Sequence, residues 1–134
     1  MAEIKLPFVE HVGLKIEAQA GGRSRCTLDV AAFHRNSTGR VHGGVIFTLA
    51  DTGMGAALNP TLEPGELCAT IEIKINYFKP VLDGQLVCLS EIVNKGRRVA
   101  SLESAVYVAD VLVAKASGSF AIFRPTGKRQ AESG

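Results

Sequence analysis

The chain has 134 residues, of which 46% are hydrophobic and 21% charged, values typical of a soluble globular domain with its own core. Fifteen basic and thirteen acidic residues give a net charge of +2, so charge gives no reason to expect a nucleic-acid partner. No apolar run is long enough to span a membrane, and no signal peptide is recognisable. We expect a cytoplasmic protein that binds neither membranes nor nucleic acids.

The first half of the chain predicts two helices and two strands. In chain order these are a helix at 5–11, strands at 14–18 and 23–30, a loop at 31–40 and a long helix at 44–58. The dipeptide Gly21-Gly22 separates the two strands as a turn, and Asn59-Pro60 stops the long helix, because proline cannot continue it.

The second half predicts only strands, at 67–78, 86–93, 99–108 and 112–123. The first of them alternates, with Ile71 and Ile73 on one face and Thr70 and Glu72 on the other. Hairpin-linked strands and one central helix indicate an α+β fold, an antiparallel sheet packed on that helix. Residues 1–124 are expected to form one domain, and 125–134 a disordered polar tail.

Three cysteines, Cys26, Cys68 and Cys88, lie far apart within apolar or alternating segments. Such positions are typical of small buried thiols. No Cys-x-x-Cys or Cys/His spacing points to a metal site. We therefore predict no metal and no cofactor.

Asp51 is the single ionisable residue of the segment GGVIFTLADTGMGAAL, which begins at Gly43. A helix that is apolar nearly all round is buried, and a carboxylate within it is costly unless it is paired or partly hydrated. Asp51 could cap another element or lie at a solvated end. Its position also fits a catalytic carboxylate.

The tripeptide His42-Gly43-Gly44 stands where the loop becomes the helix. Free backbone N–H groups at a helix start, without side chains around them, can approach a substrate oxygen closely. This pattern predicts an oxyanion hole for an acyl carbonyl. A simple turn is the alternative for the glycines, and for His42 we favour orienting the loop over proton transfer.

Three segments together resemble the signature of PaaI-like (phenylacetate-pathway-type) hotdog thioesterases over about residues 10–123. These segments are Asn36-x-x-Gly39-x-x-His42-Gly43-Gly44 with Leu49-Ala50-Asp51, then Thr70-x-Glu72-x-x-x-Asn76-Tyr77-x-x-Pro80, and Gly96-Arg97. The resemblance implies a hotdog fold, a curved antiparallel sheet wrapped around one long helix. It also implies hydrolysis of an acyl- or aryl-CoA thioester at sites that two subunits form together.

The resemblance also implies roles for individual residues. Asp51 would attack the thioester or activate water, and the Gly43 N–H would polarise the carbonyl. Asn36 would orient water or substrate, His42 would steady the loop, and Thr70 would reach the site from the partner subunit. A CoA thiolate needs no strong acid to leave, since a thiol pKa is about 8.5, so a carboxylate and an oxyanion donor suffice.

Coenzyme A carries phosphates, so its site is expected to contain exposed basic residues. The resemblance implies two contact segments, which consist of Tyr77, Phe78, Lys79 and Pro80, and of Asn94, Lys95, Gly96, Arg97 and Arg98. Solvated turn charges are the alternative reading for any one of these basic side chains.

We expect at least a homodimer and, beyond it, a homotetramer built as a dimer of dimers. The single sheet would leave edge strands unpaired, which invites pairing with a second copy. Two alternative functions remain at this point. A dehydratase or hydratase acting on acyl thioesters would need a histidine paired with the helix carboxylate, and a non-catalytic acyl-CoA-binding module would not need Asp51.

Overall fold

The computed structural model describes residues 6–126, which form a six-stranded antiparallel sheet and one long helix. The elements are α1 (Pro7–Val12), β1 (Leu14–Ala20), β2 (Arg23–Asp29), α2 (Gly43–Leu58), β3 (Leu67–Tyr77), β4 (Gln85–Lys95), β5 (Val99–Val108) and β6 (Val111–Phe123). The strand order is β1-β2-β4-β5-β6-β3, so β1 and β3 are the edges. The predicted hotdog fold is confirmed.

The helix α2 lies across the inner face of the sheet and forms the core with it. Leu49, Ala50 and Met54 are fully buried on the helix, opposite Leu86 and Leu102 of the central strands. The other side of α2 is only partly covered by this chain. Among residues 6–126, no helix combines the length and apolarity needed to cross a membrane.

Gly53 allows the helix to come very close to the sheet. A Cβ atom at this position would lie 2.4 Å from Oγ of Ser90 and 3.2 Å from Sγ of Cys88. Glycine within a helix costs about 1 kcal/mol relative to alanine, and the close approach accounts for that cost here. At Gly55 the nearest atom would be 4.0 Å away, so space does not explain that glycine.

The predicted elements are all present, with ends that differ by a few residues. The first helix covers Pro7–Val12 rather than 5–11, and Lys5 lies outside the described residues. The strand predicted at 86–93 extends over Gln85–Lys95. Most of the predicted tail, 127–134, also lies outside the described residues, whereas Pro125 and Thr126 have no regular structure.

The predicted alternation along β3 is wrong at Thr70, because a β-bulge interrupts it. The register against β6 shifts between Thr70 and Glu72. One extra residue in a strand reverses the alternation beyond it. Thr70 therefore faces α2 together with Ile73, whereas Ile71 is 56% exposed.

Candidate active site

Asp51 lies half-buried on the flank of α2 that faces β3. Its Oδ1 atom accepts a hydrogen bond of 2.8 Å from the Thr70 hydroxyl, the one donor to this carboxylate within residues 6–126. The second carboxylate oxygen therefore keeps its lone pairs for another partner. The carboxylate is both oriented and open, which is the state that attack or proton abstraction requires.

Thr70 belongs to the same chain as Asp51. The sequence-based expectation had this hydroxyl approaching from the partner subunit. The bulge in β3 instead turns Thr70 inward, toward the carboxylate of its own chain. Bulges commonly re-aim a side chain in this way.

Cys68 is a further neighbour of Asp51 that the sequence did not single out. Burial, and after it the negative charge of Asp51, raise the pKa of the Cys68 thiol. A thiol held in its protonated form is a poor nucleophile. Cys68 therefore borders the carboxylate without competing with it.

The start of α2 is held by His42 and Tyr77. The Nδ1 atom of His42 accepts a 2.8 Å hydrogen bond from the Gly44 N–H, so His42 caps the helix. A Cβ at Gly44 would lie 2.9 Å from this nitrogen, so the cap requires a glycine. The Tyr77 hydroxyl donates a 2.8 Å hydrogen bond to the Gly43 carbonyl.

These bonds leave the Gly43 N–H available. The His42 ring bonds the next amide, Gly44, and no acceptor for the Gly43 N–H is found in the described part of the chain. Since Nδ1 of His42 is an acceptor, its Nε2 carries the proton when the ring is neutral. The residue thus caps the helix start, and within residues 6–126 it has no contact that would make it a base.

Asn36 organises the loop before α2. Its Oδ1 atom accepts hydrogen bonds from the backbone N–H and hydroxyl of Thr38, at 3.0 and 2.6 Å. Its backbone N–H donates to the Arg40 carbonyl at 2.7 Å. The side chain is exposed, and its amide nitrogen has no acceptor among the described residues. Asn36 can therefore donate to a ligand.

Asp51 and Gly43 are well separated within one chain. They are eight residues apart on one helix, and a rise of about 1.5 Å per residue puts them about 12 Å apart along its axis. A reacting carbonyl must lie within about 3 to 3.5 Å of the groups that act on it. One chain therefore does not bring this carboxylate and this amide to the same thioester.

The two predicted coenzyme-binding segments lie at opposite ends of the sheet. Phe78 follows β3 and its N–H bonds the Val113 carbonyl, whereas Arg98 accepts from the Ile122 N–H. Val113 and Ile122 are nine positions apart on β6, about 30 Å at a rise of about 3.3 Å per residue. Lys79 and the turn around Arg97 are therefore far apart within a single chain.

Within the turn after β4, the side chains have different surroundings. Lys95 donates a 2.8 Å hydrogen bond to the Thr61 carbonyl beyond α2, so its ammonium is partly engaged. Arg97 and Arg98 are exposed, and neither forms an ion pair within residues 6–126. Of this segment, Arg97 and Arg98 are the side chains best placed to bind phosphate. Asn94, at the end of β4, is exposed as well.

Burial separates structural residues near the site from accessible ones. His34, in the loop before α2, is buried and bridges two segments. Its Nδ1 accepts from the Ala31 N–H at 2.8 Å, and its Nε2 lies 2.6 Å from the Val12 carbonyl. On α2, Met54 and Leu58 are fully buried core residues, whereas Phe47 is only partly buried.

The family model described as "Thioesterase superfamily" matches residues 38–115. A Halobacterium salinarum protein named "Putative esterase" is 31% identical over 129 residues, which cover 87% of this chain and 85% of the relative. A conserved protein of Pseudomonas aeruginosa superposes with a TM-score of 0.85 at 36% identity, covering 89% of this chain and 95% of that one. A mutant of the phenylacetic acid degradation protein PaaI of Thermus thermophilus gives 0.80 at 28% identity, with 86% and 97% covered.

The central helix with its oriented carboxylate, inside a curved antiparallel sheet, defines a hotdog-fold hydrolase. The chain belongs to the thioesterase superfamily, and the PaaI-like resemblance is confirmed. It is thus an enzyme that hydrolyses thioesters. Membership in this superfamily favours hydrolysis over the two alternative functions, a dehydratase or hydratase and a non-catalytic acyl-CoA-binding module.

Proposed function

We propose that the protein hydrolyses an acyl- or aryl-CoA thioester to the free acid and coenzyme A, with Asp51 as nucleophile or general base. The observation that carries this proposal is the hydrogen bond from Thr70 to Oδ1 of a half-exposed Asp51. A carboxylate fixed at one oxygen and open at the other suits attack on a carbonyl carbon or on a water proton.

Either route gives the same products. If Asp51 attacks, the C–S bond breaks, the CoA thiolate leaves, and water then hydrolyses the resulting anhydride. If Asp51 acts as a base, it takes a proton from water while the water oxygen attacks the carbonyl carbon, and the thiolate leaves from the tetrahedral intermediate. In both, negative charge develops on the carbonyl oxygen and needs a donor. The unbonded Gly43 N–H is our candidate.

That donor has to come from a second copy of the chain, because Asp51 and Gly43 are about 12 Å apart along one helix. The strand β3 offers the surface for this copy. It is an edge strand with 11 residues, and its ladder groups on the side away from β6 are unpaired within the described chain. Long open edges readily pair with another strand. Antiparallel pairing of two β3 strands would bring the Tyr77 end of one beside the Leu67 end of the other.

The charges on β3 select one register for this pairing. In an antiparallel pair, facing residues share a face of the sheet, so a symmetric pair is centred on one residue that faces its own copy. Centring on Glu72 or on Lys74 would place like charges opposite each other, which destabilises a pair. Centring on Ile73 places Glu72 opposite the partner's Lys74, twice by symmetry. Because the bulge adds one residue at Ile71, this register puts Thr70 opposite the partner's Ile75, on the inner face and close to the partner's Tyr77.

The same register assembles the remaining predicted residues. Tyr77 bonds Gly43, so the partner's Gly43 would approach Asp51, accompanied by the loop of Asn36 and His42. The segment of Tyr77, Phe78, Lys79 and Pro80 from the partner would then adjoin the Arg97 turn. One coenzyme A could contact both segments, which a single chain holds about 30 Å apart. Pairing of two such dimers into a tetramer, and a cytoplasmic location, stay predictions.

The test is release of free thiol from a set of acyl-CoAs by the wild type and by Asp51→Asn. We expect kcat to fall at least ~10²-fold in the variant, since acid–base catalysis typically contributes that much, while binding of substrate persists. A dehydratase would leave the thioester intact, and a binding module would retain acyl-CoA without releasing thiol. Near-normal turnover by Asp51→Asn would contradict the proposed mechanism.

A further inference from the structure

Three buried serines lie between the sheet and α2. Ser24 on β2 donates a 2.6 Å hydrogen bond to the Gly53 carbonyl, and Ser104 on β5 donates one of 2.9 Å to the Ala50 carbonyl. Ser90 on β4 lies 2.7 Å, Oγ to Oγ, from Ser104. Their exposed fractions are 6%, 1% and 3%, in the order Ser24, Ser104, Ser90. The two carbonyls flank Asp51 on either side.

The hydrogen bonds in this group have a defined direction. The single hydroxyl proton of Ser104 goes to the Ala50 carbonyl, so the oxygen of Ser104 accepts the proton of Ser90. Burial also raises the pKa of the Cys88 thiol, whose sulfur lies 3.5 Å from Oγ of Ser90 and can donate its proton there. A chain therefore leads from Cys88 through Ser90 and Ser104 to the helix backbone.

Apolar contacts alone would hold α2 less firmly in this place. They are non-directional, and the helix surface here consists of small residues, Ala50, Gly53 and Ala57. Within a helix, the carbonyls of Ala50 and Gly53 can accept hydrogen bonds from backbone N–H groups of the next turn. The additional hydrogen bonds from Ser24 and Ser104 therefore serve to fix the helix against the sheet. Buried hydroxyls are costly unless bonded, and each carbonyl bond fixes both the rotation and the height of α2.

The position of Asp51 depends on that rotation. Its carboxylate lies on the order of 5 Å from the helix axis, so a turn of about 10° would move it by about 1 Å. A misplacement of about 1 Å in a catalytic group can cost roughly 10²-fold in rate. Small rotations of α2 would therefore separate Asp51 from Thr70 and from the substrate.

We propose that Ser24, Ser90 and Ser104 are positioning residues for the thioesterase site, which hold α2 so that Asp51 meets Thr70. This inference rests on the proposed role of Asp51. The serines touch no substrate and act only through the helix. Their removal is expected to lower kcat while KM, set largely by distant coenzyme contacts, changes little.

The first experiment compares Ser104→Ala with Ser101→Ala, a matched control on the same strand that lacks these bonds. We expect kcat to fall about 10-fold in Ser104→Ala and to stay within about 2-fold in Ser101→Ala, with KM within about 2-fold in both. Both variants are assayed well below their unfolding temperatures. An unchanged kcat in Ser104→Ala overturns the proposal, whereas loss of activity in Asp51→Asn is a separate result that tests the catalytic role.

A double-mutant comparison distinguishes misplacement of Asp51 from a general loss of stability. In a Thr70→Val background, the partner of Asp51 is already absent, so Ser104→Ala should lower kcat much less than in the wild type. Its effect on the urea midpoint should be the same in both backgrounds. An equal fold-loss of kcat in both backgrounds would overturn the link to Asp51. If Ser104→Ala does not fold, Ser24→Ala makes the same comparison at the Gly53 carbonyl.

A second pair of variants changes the helix side of the contact between α2 and the sheet, at Gly53 and Ser90. Gly53→Ala places a Cβ 2.4 Å from Oγ of Ser90, which forces α2 away from the sheet. We expect a loss of kcat of at least about 10-fold, with partial recovery when Ser90→Ala removes the obstructing oxygen. Recovery of stability without any recovery of kcat would contradict the proposal.

Discussion

The Thr70 hydroxyl reaches Oδ1 of Asp51 at 2.8 Å only because the strand that carries it is bulged. Regular alternation would turn this side chain to the outer face, away from α2. The bulge thus places a donor beside the carboxylate proposed to be catalytic, and it does so within one chain. This hydrogen bond leads to the first prediction.

Replacing Thr70 with valine keeps the volume and removes the donor. We expect kcat to fall about 10- to 100-fold, because Asp51 loses the bond that orients it, while Thr70→Ser retains most activity. Steady-state kinetics with one acyl-CoA measures both variants. Equal activity of the valine and serine variants would show that the hydroxyl has no part in the reaction.

Arg97 and Arg98 are predicted to bind the phosphates of coenzyme A. Changing both to glutamine should raise KM more than it lowers kcat, because contacts far from the carbonyl bind substrate and transition state alike. Salt should weaken substrate binding more in the wild type than in the variant. A pantetheine thioester without the nucleotide supplies the control, and an equal rise of KM for that substrate would rule out the phosphate role.

Cys68 reports on the charge of Asp51 without any assay of activity. Burial and the Asp51 carboxylate both raise the pKa of its thiol, and only the thiolate reacts with alkylating reagents. Asp51→Asn removes one of the two causes, so the pKa should fall and alkylation at a given pH near neutrality should accelerate. Mass spectrometry of the Cys68 peptide after iodoacetamide treatment, from pH 7 to pH 10, measures this.

Removing a different carboxylate should leave the pH dependence of Cys68 alkylation unchanged. Glu72→Gln removes a carboxylate from the same strand, but from its outer face. Identical alkylation profiles for the wild type and Asp51→Asn would mean that the two side chains are not neighbours. Cys26 and Cys88 are buried and should stay unlabelled in the native protein.

The proposed register of the dimer predicts a charge-reversal result. Glu72→Lys or Lys74→Glu alone would create like-charge pairs across the two β3 strands, so each should weaken the dimer and lower activity in dilute protein. The double variant Glu72→Lys/Lys74→Glu should restore both. Sedimentation velocity and thiol release at several protein concentrations provide the readout. Lys15→Glu on the opposite edge strand, β1, is the control.

Failure of the double variant to recover, with both single variants impaired, would point to another register. A monomer that hydrolyses acyl-CoA at full rate would rule out the shared site altogether. Either outcome leaves the Asp51–Thr70 pair within one chain intact, since it does not depend on the partner.

Much of this molecule follows from its sequence because the signals are local. Asn59-Pro60 marks the end of α2, and Asp51 stands out as its one charge. The sequence also favours a structural role for His42 over proton transfer, and the structure shows how its ring caps the helix start. The chemistry of these residues depends on neighbours a few positions away, so spacing alone reveals it.

Features that depend on pairing between distant segments could not be predicted in this way. The alternation at 71, 73 and 75 is regular in sequence, and only the register with β6 reveals the bulge beside Thr70. His34 is buried because it bonds a carbonyl 22 positions away, at Val12. The separation of Lys79 from Arg97 likewise follows from strand order, which sequence patterns do not encode.

Asp51 and Gly43 are roughly 12 Å apart along one helix, so the proposed site needs two chains. The rate of hydrolysis would then depend on the concentration of the protein itself. If each site takes its carboxylate from one chain and its amide from another, then the rate per chain falls once the concentration drops below the dissociation constant of the dimer. At such concentrations a twofold rise in expression would raise flux nearly fourfold, because active pairs grow with the square of the chains available. Dilution would switch the enzyme off without any inhibitor.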